Sequence, residues 1–457
     1  MSETIKPTDQ INEQPAYDEH LYGAFLENGS LQAYEYLSGD RDFRNEQKRQ
    51  FLAGEISNPQ LDYPDINPEM IDKTESALLS MKQDIISNEQ NEVVRQAYRW
   101  RLNEKIAEIR MLKSTAANDM RRFKRYSEFI YGKPSTDVFA YTVNSIISEA
   151  NQFTDSDNSD TSRAAIDLLQ SLPAMDQPEI PELPNAETIG FAHKQTEKEL
   201  GDLIDIPSEA TKLDASQIQE AFETALSRTG DNGWRVEIDE KSSKTAVSVD
   251  QEQMQVNIPQ SRTVTRAKLA GLIVHEIGTH VARRTNGERS SLKLLGLGLD
   301  RYEAGEEGIA TMREQALANK MDDFRGIDGL LAIGLSLGLD GQPRDFRQVY
   351  TVLEKYYLFK NLKSKKDLLE AHEKAQTSAW NHSIRTFRGT DCKTPGVCFT
   401  KDIVYRNGNI GIWDVVRNNP EEMLRFNIGK YDPTNSRHLW ILEQLGITDQ
   451  DLTELES

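Results

Sequence analysis

From about residue 43 to 131, Leu, Ile, Met and aromatic residues recur at helical spacing, which predicts long helices near 67–87 and 89–118 and another near 137–150. Residues 1–30 carry no such stripe and read as a loosely ordered N-terminus, with 31–150 as a helical N-terminal region. Residues 154–161 are acidic and rich in Ser and Asp, and Pro173, Pro178, Pro181 and Pro184 follow closely. Dense proline removes backbone donors and breaks helices, so 151–187 is predicted to be a linker. Strand signals appear in one place. Trp234–Ile238, Thr245–Val249 and Met254–Ile258 alternate apolar and polar side chains, with a turn at Asp250–Gln253. Pro259 ends the last strand, an apolar helix follows from about 262, and the pattern after 303 is helical to near 450. The expectation is an α+β fold, mainly α with one small β-sheet, in which 188–457 form the main domain.

The helix after Pro259 carries the candidate chemistry. It reads His275-Glu276-Ile277-Gly278-Thr279-His280, flanked by apolar Leu269, Leu272, Ile273, Val274 and Val281. Two imidazoles and a later carboxylate can hold Zn²⁺ with a position open for water, and the adjacent glutamate can take that water's proton. The familiar H-E-x-x-H motif sets its histidines four apart on one helix face; here they are five apart. At 3.6 residues per turn, a step of five rotates a side chain by roughly 140°, against roughly 40° for a step of four. A π-bulge absorbs the extra residue and restores a common face. Gly278, a poor helix former, and Thr279, whose hydroxyl can bond a freed carbonyl, suit such a bulge. The segment is either a bulged metal helix or no metal site. Two histidines held against a core need polar partners, and a metal is one.

Glu303, Glu306 and Glu307 open the next predicted helix. They could be a solvated first turn, where acids favour the helix dipole. Glu307-Gly308 resembles the ligand glutamate of some zinc aminopeptidases, followed by a glycine that lets the helix approach the metal. Glu307 is the expected third ligand, with Glu306 as second choice.

Composition narrows the function. The chain has 457 residues, enough for two or three domains, with mean hydropathy −0.64 and net charge −20. That charge argues against general nucleic-acid affinity. The longest apolar stretch, around Leu330–Leu339, is too short to span a membrane. Residues 1–16 lack a signal-peptide core, and two cysteines make no disulfide framework, so a cytoplasmic location is expected. Cys392 and Cys398 read as free thiols. Asp155–Asn158 lacks the glycine and glutamate of a calcium loop. Arg95–Arg125 holds ten basic residues against three acidic ones, which reads first as a solvated helix face and second as a dock for an acidic partner. Trp380–Arg406 is also basic.

The motifs together resemble a known family. His-Glu-Ile-Gly-Thr-His, Asn286-Gly287, Glu306-Glu307-Gly308-Ile309-Ala310, Phe387-Arg388-Gly389 and Phe399-Thr400-Lys401-Asp402 are similar to those of the microtubule-associated tyrosine carboxypeptidase (MATCAP) family. Its bacterial relatives were long described only by a "QEGLA" motif. Upstream, Tyr126-Ser127 and Tyr131-Gly132-Lys133-Pro134 resemble the family's Ser-x-x-x-Tyr-Gly-x-Pro signature, so the likeness runs from about 125 to 410. It implies a zinc metallopeptidase-like catalytic domain with a bulged H-E-x-x-x-H helix. It also implies one Zn²⁺ per chain on His275, His280 and Glu307, Glu276 as general base, and removal of C-terminal residues, in animals from the acidic tails of tubulin. Cys392 and Cys398, between the last two motifs, depart from the pattern.

Two roles remain to be filled. The tetrahedral oxyanion needs a donor, for which Tyr405 is the candidate, with His382 behind it. A terminal carboxylate calls for a guanidinium or ammonium, and Arg388 and Lys401, then Arg385, are the candidates. Asp402 could orient Lys401 or cap a helix. The expected partner is a protein or peptide C-terminus, with neither nucleic acid nor membrane. The competing readings are an endopeptidase or aminopeptidase using the same zinc site, and a non-catalytic module gripping an acidic protein through Arg95–Arg125.

Overall fold

The computed structural model describes residues 15–29, 31–206, 211–230, 233–240 and 246–447. Polar caps fix where the long helices start. Asn67 accepts from the N–H groups of Glu69 and Met70 ahead of the Pro68–Asn88 helix, and Asn91 does the same for Glu92–Ala116. Such caps satisfy first-turn donors that no helical carbonyl can reach.

Two stretches are more ordered than their composition suggests. Residues 1–14 lie outside the described set, but Glu19–Gly29 is a helix. Phe25 meets Tyr98 edge-on at 5.5 Å, and the Asp18 carboxylate accepts from Tyr98 Oη and from the N–H groups of Lys293 and Leu294, each at 2.8 Å. Single anchors of this kind leave no periodic trace in sequence. Within 151–187, Ser159–Leu169 is a helix capped by Asn158 and packed on the Phe346–Lys363 helix, with Ala164, Ala165 and Leu168 buried. The Ser/Asp-rich stretch is therefore a helix start, and the prolines after it run without helix or strand.

One apolar core joins Leu102, Ile109 and Leu112 of the Glu92–Ala116 helix to Leu294, Phe399, Ile428 and Leu442, so the N-terminal helices and the end of the chain share an interior. Four charges in the middle of that helix are buried and belong to no solvated face. Arg101 and Glu104 pair at 2.6 Å, Lys105 and Glu108 at 3.0 Å, and all four are buried. Lys113, Arg121, Arg122 and Arg125 are the exposed part of the basic run.

The sheet has three strands: β1 (Arg235–Asp239), β2 (Ser248–Asp250) and β3 (Gln255–Pro259), in the order β1-β3-β2. β1 runs parallel to β3, with Val236 opposite Val256, and β2 runs antiparallel to it, with Val249 opposite Val256. Thr245 lies outside the described residues. Asp250 Oδ1 accepts from the N–H groups of Glu252 and Gln253, forming the expected turn. Val236, Val256 and Ile258 pack with Phe222 of the Ala215–Thr229 helix and with Val274 and Ile277. The next helix begins at Arg266, capped by Thr265, because Val264 first bridges back to Leu213. The fold is thus mainly helical with one small sheet. The apolar run at Leu330–Leu339 belongs to an interior helix, Ile327–Leu337. Among the described residues no helix is long and apolar enough to cross a membrane. Cys392 and Cys398 are free and buried.

Candidate metal centre

From Arg266 to Arg289 the chain is one continuous helix whose middle, Ile273–Val281, is wound as a π-helix. Three local features hold that winding. Thr279 Oγ1 donates to the carbonyl of Val274, five residues back, at 3.0 Å. At Gly278 a β-carbon would lie 2.9 Å from Leu200 Cδ1, so the glycine lets Leu200 pack closely against the segment. Fully buried Arg313 donates to Gly278 O at 3.0 Å and Thr279 Oγ1 at 3.2 Å, and also to Glu199 and Asn427 at 2.9 Å each.

The winding brings His275 and His280 to one face, with ring centroids 4.9 Å apart and planes at 76°. Glu307, from the Glu303–Leu317 helix, completes the group, with Oε2 3.8 Å from His275 Nε2. One ligand atom from each of His275, His280 and Glu307 lies within 4.8 Å of the others, so these three could hold a metal ion. Two imidazoles and one carboxylate are a donor set that suits a catalytic divalent metal.

Glu306 does other work. Its Oε1 lies 2.9 Å from His280 Nδ1, and its other oxygen pairs with Arg283, which is wholly buried. Lys430 Nζ is 3.8 Å from Oε1. Burial alone would raise the Glu306 pKa, but Arg283, Lys430 and His280 outweigh it and hold the carboxyl at about 2. Glu314 serves His275 in a similar way. Its Oε1 is 2.8 Å from Nδ1, although out of hydrogen-bond alignment, and Lys268 Nζ donates to its Oε2 at 2.8 Å. Carboxylates behind ligand histidines orient the rings and raise their basicity. Burial lowers the His275 pKa, yet Glu314, Glu276 and Glu307 together lift it to about 9. Glu276 lies beside the triad, and burial raises its pKa above the ordinary glutamate value against the pull of both histidines.

Tyr405 faces the same charge. The Glu307 carboxylate, then burial, raises its phenol well above 10, so it keeps its proton. Tyr405 lines a cavity of about 690 Å³ with Thr311, Glu314, His382, Arg385 and Asp402. Arg385 donates to Asp402 Oδ1 at 2.8 Å and lies 6.0 Å over the Tyr405 ring. Asp402 therefore answers Arg385, and makes no side-chain cap for the helix at Ile403. Lys401 pairs with Glu303 and sits over the rings of Tyr34 and Tyr131, at 4.7 and 5.1 Å. Arg388 lies 4.9 Å over Phe399, and His382 Nδ1 is 2.8 Å from Tyr357 Oη.

A model of the family described as microtubule-associated tyrosine carboxypeptidase matches residues 184–451, more than half of the chain. The chain belongs to this family. No curated protein matches it. Membership makes it a carboxypeptidase-like protease. The MATCAP match begins after the Tyr126–Pro134 motif, but that motif meets the matched region in space. Ser127 Oγ accepts from the Thr400 N–H at 2.8 Å, and Tyr131 meets Phe399 edge-on at 5.1 Å.

Sequence reasoning missed Glu314 and Arg313. Glu314 had a signal, since it follows Glu307 by seven residues, two turns along one helix face. Arg313 had none. At Gly308 a β-carbon would lie 2.4 Å from Gly408 O, so the glycine admits the Ile403–Asn418 helix.

Proposed function

We propose that this protein is a zinc-dependent carboxypeptidase that removes residues from the C-terminus of a protein or peptide. The observation that carries the proposal is the π-wound segment that turns His275 and His280 toward Glu307. In this reading the three residues hold one Zn²⁺ per chain. Bound there, zinc supplies Lewis acidity, polarising the scissile carbonyl and making a water acidic near neutral pH. Glu276 takes the proton from that water and returns it to the departing amine, a role that its raised pKa suits. Tyr405, still protonated, donates to the developing oxyanion, with Arg385 beside it. Arg388, over Phe399, and Lys401, beside Glu303, bind substrate as further cations.

The test is metal content beside peptidase activity, for the natural protein and Glu276→Gln. A mixed peptide library with free or amidated C-termini would be read by mass spectrometry. The expected result is about one zinc per chain and trimming of free C-termini that disappears in the variant. A folded protein that binds no zinc, or cleavage indifferent to amidation, would reject the proposal. Cleavage indifferent to amidation would instead favour an endopeptidase or aminopeptidase.

A further inference from the structure

A π-helix is rare and usually limited to a single turn, yet Ile273–Val281 is wound this way over nine residues. Gly278 and Thr279 permit the winding, but much of the hold comes from outside the helix and converges on His280. Arg313 donates to Gly278 O and Thr279 Oγ1, the two residues before it, and Glu306 Oε1 lies 2.9 Å from its Nδ1. One loop, residues 427–431, aims both of these partners. Asn427 Oδ1 accepts from Arg313 Nη1 at 2.9 Å, opposite Glu199, which accepts from Nη2 at 2.9 Å. The oxygen of Glu306 turned away from His280 pairs with Arg283. Arg283 in turn donates Nε to Gly429 O at 2.8 Å and Nη2 to Tyr431 O at 2.7 Å.

Both guanidiniums are wholly buried, so neither can turn to water for another acceptor. A guanidinium presents its donors in a fixed fork, so acceptors on two nitrogens decide where the third points. The loop is itself fixed. Lys430 donates its N–H to Leu295 O at 2.7 Å and accepts from the Leu299 N–H at 3.0 Å. At Gly429, with φ of +152°, a β-carbon would lie 2.6 Å from Leu295 Cβ. The Asn427 carbonyl also accepts from Asn286 Nδ2 at 3.0 Å, on the helix that continues the π segment. His275 takes its support elsewhere, from Glu314 and Lys268.

We infer that residues 427–431 position His280. Asn427, through Arg313, holds the winding, and the Gly429 and Tyr431 carbonyls, through Arg283 and Glu306, hold the ring. The inference rests on the carboxypeptidase reading for the use of the site, while the hold on the winding belongs to the metal-free chain.

The experiment reads amide hydrogen exchange across 273–281 in metal-free protein, and zinc affinity by titration against a competing chelator. It compares Asn427→Leu, Asn427→Asp and Gly429→Ala with a control, Leu442→Ala, in the core that Ile428 joins. Asn427→Leu and Gly429→Ala should each speed exchange in the segment and weaken zinc binding by about 10- to 100-fold, as loss of a ligand's outer support does. Asn427→Asp keeps an acceptor for Arg313 and should recover part of both. Leu442→Ala should lower the urea midpoint and leave zinc affinity where it is. Unchanged exchange and affinity in Asn427→Leu and Gly429→Ala overturn the inference. So does a loss of affinity that only follows the urea midpoint, Leu442→Ala included. If Asn427→Leu does not fold, Asn427→Ala carries the same comparison. A natural protein that binds no zinc rejects the carboxypeptidase reading, and the exchange rates then judge the hold on the winding by themselves.

Discussion

Glu306 and Glu307 are neighbours in sequence with opposite surroundings, and changing each to Gln should give opposite signatures. Glu306→Gln removes the counter-charge of wholly buried Arg283 and of Lys430. Breaking a buried ion pair by deleting one partner costs about 3–5 kcal/mol. Arg283 keeps its bonds to Gly429 O and Tyr431 O, at 2.8 and 2.7 Å, which places the cost near the lower end. His280 also loses the carboxylate that orients it, and zinc affinity should fall by about 10- to 100-fold while binding survives. The Glu307 side chain is 21 % exposed, and its ion-pair partner is His275 at 3.8 Å. Glu307→Gln should therefore leave the metal-free protein within about 0.5 kcal/mol of the original and remove zinc altogether. Urea unfolding of stripped protein measures the first quantity, and zinc titration against a competing chelator measures the second. Zinc retained in Glu307→Gln and lost in Glu306→Gln, with stability unchanged in both, would mean that the ligand assignment is reversed.

Tyr405→Phe should keep zinc and lower kcat by about 10²–10³, the cost of one oxyanion donor; an unchanged rate would remove Tyr405 from the mechanism. Arg313→Met should destabilise the protein by about 3–5 kcal/mol and weaken zinc binding, because the π segment loses its carbonyl anchor; urea midpoints and chelator titration together test this. Asp300 has its pKa lowered against the pull of burial, by its bond to His438 and by the charges of His438 and Arg437. A depressed carboxyl contributes stability above its unfolded value and loses it as pH falls through the folded one. Asp300→Asn should therefore flatten the loss of stability below about pH 4, and an unaltered slope would show that the ion pair contributes nothing.

The sheet was legible because alternation over β1 and β3 reports burial of one face, and the Asp250 turn has its own local chemistry. The helices at 68–88 and 92–116 were legible for the same reason, through a sustained apolar stripe. The first N-terminal helix and Ser159–Leu169 were not. Phe25 and Asp18 are fixed by residues 73 or more positions away, and a capping run of Ser, Asp and Asn looks like a linker until its buried alanines find the Phe346–Lys363 helix. The charges at Arg101–Glu108 misled because pairing with each other, and with backbone at Leu31 and Leu297, makes their burial tolerable.

The sequence by itself determined that two histidines five apart could share a metal only on a π-wound helix, since a regular helix would turn them to different faces. It also supplied Gly278 and Thr279, whose small side chain and hydroxyl permit that winding. Only the tertiary structure decided which neighbouring glutamate joins the two histidines in a group that could hold a metal. Arg283 and Lys430, 23 and 124 residues from Glu306, draw that carboxylate into the interior and leave Glu307 to the open side. A local pattern can state what a helix needs, but the charge that neutralises a buried carboxylate comes from wherever the fold brings a cation.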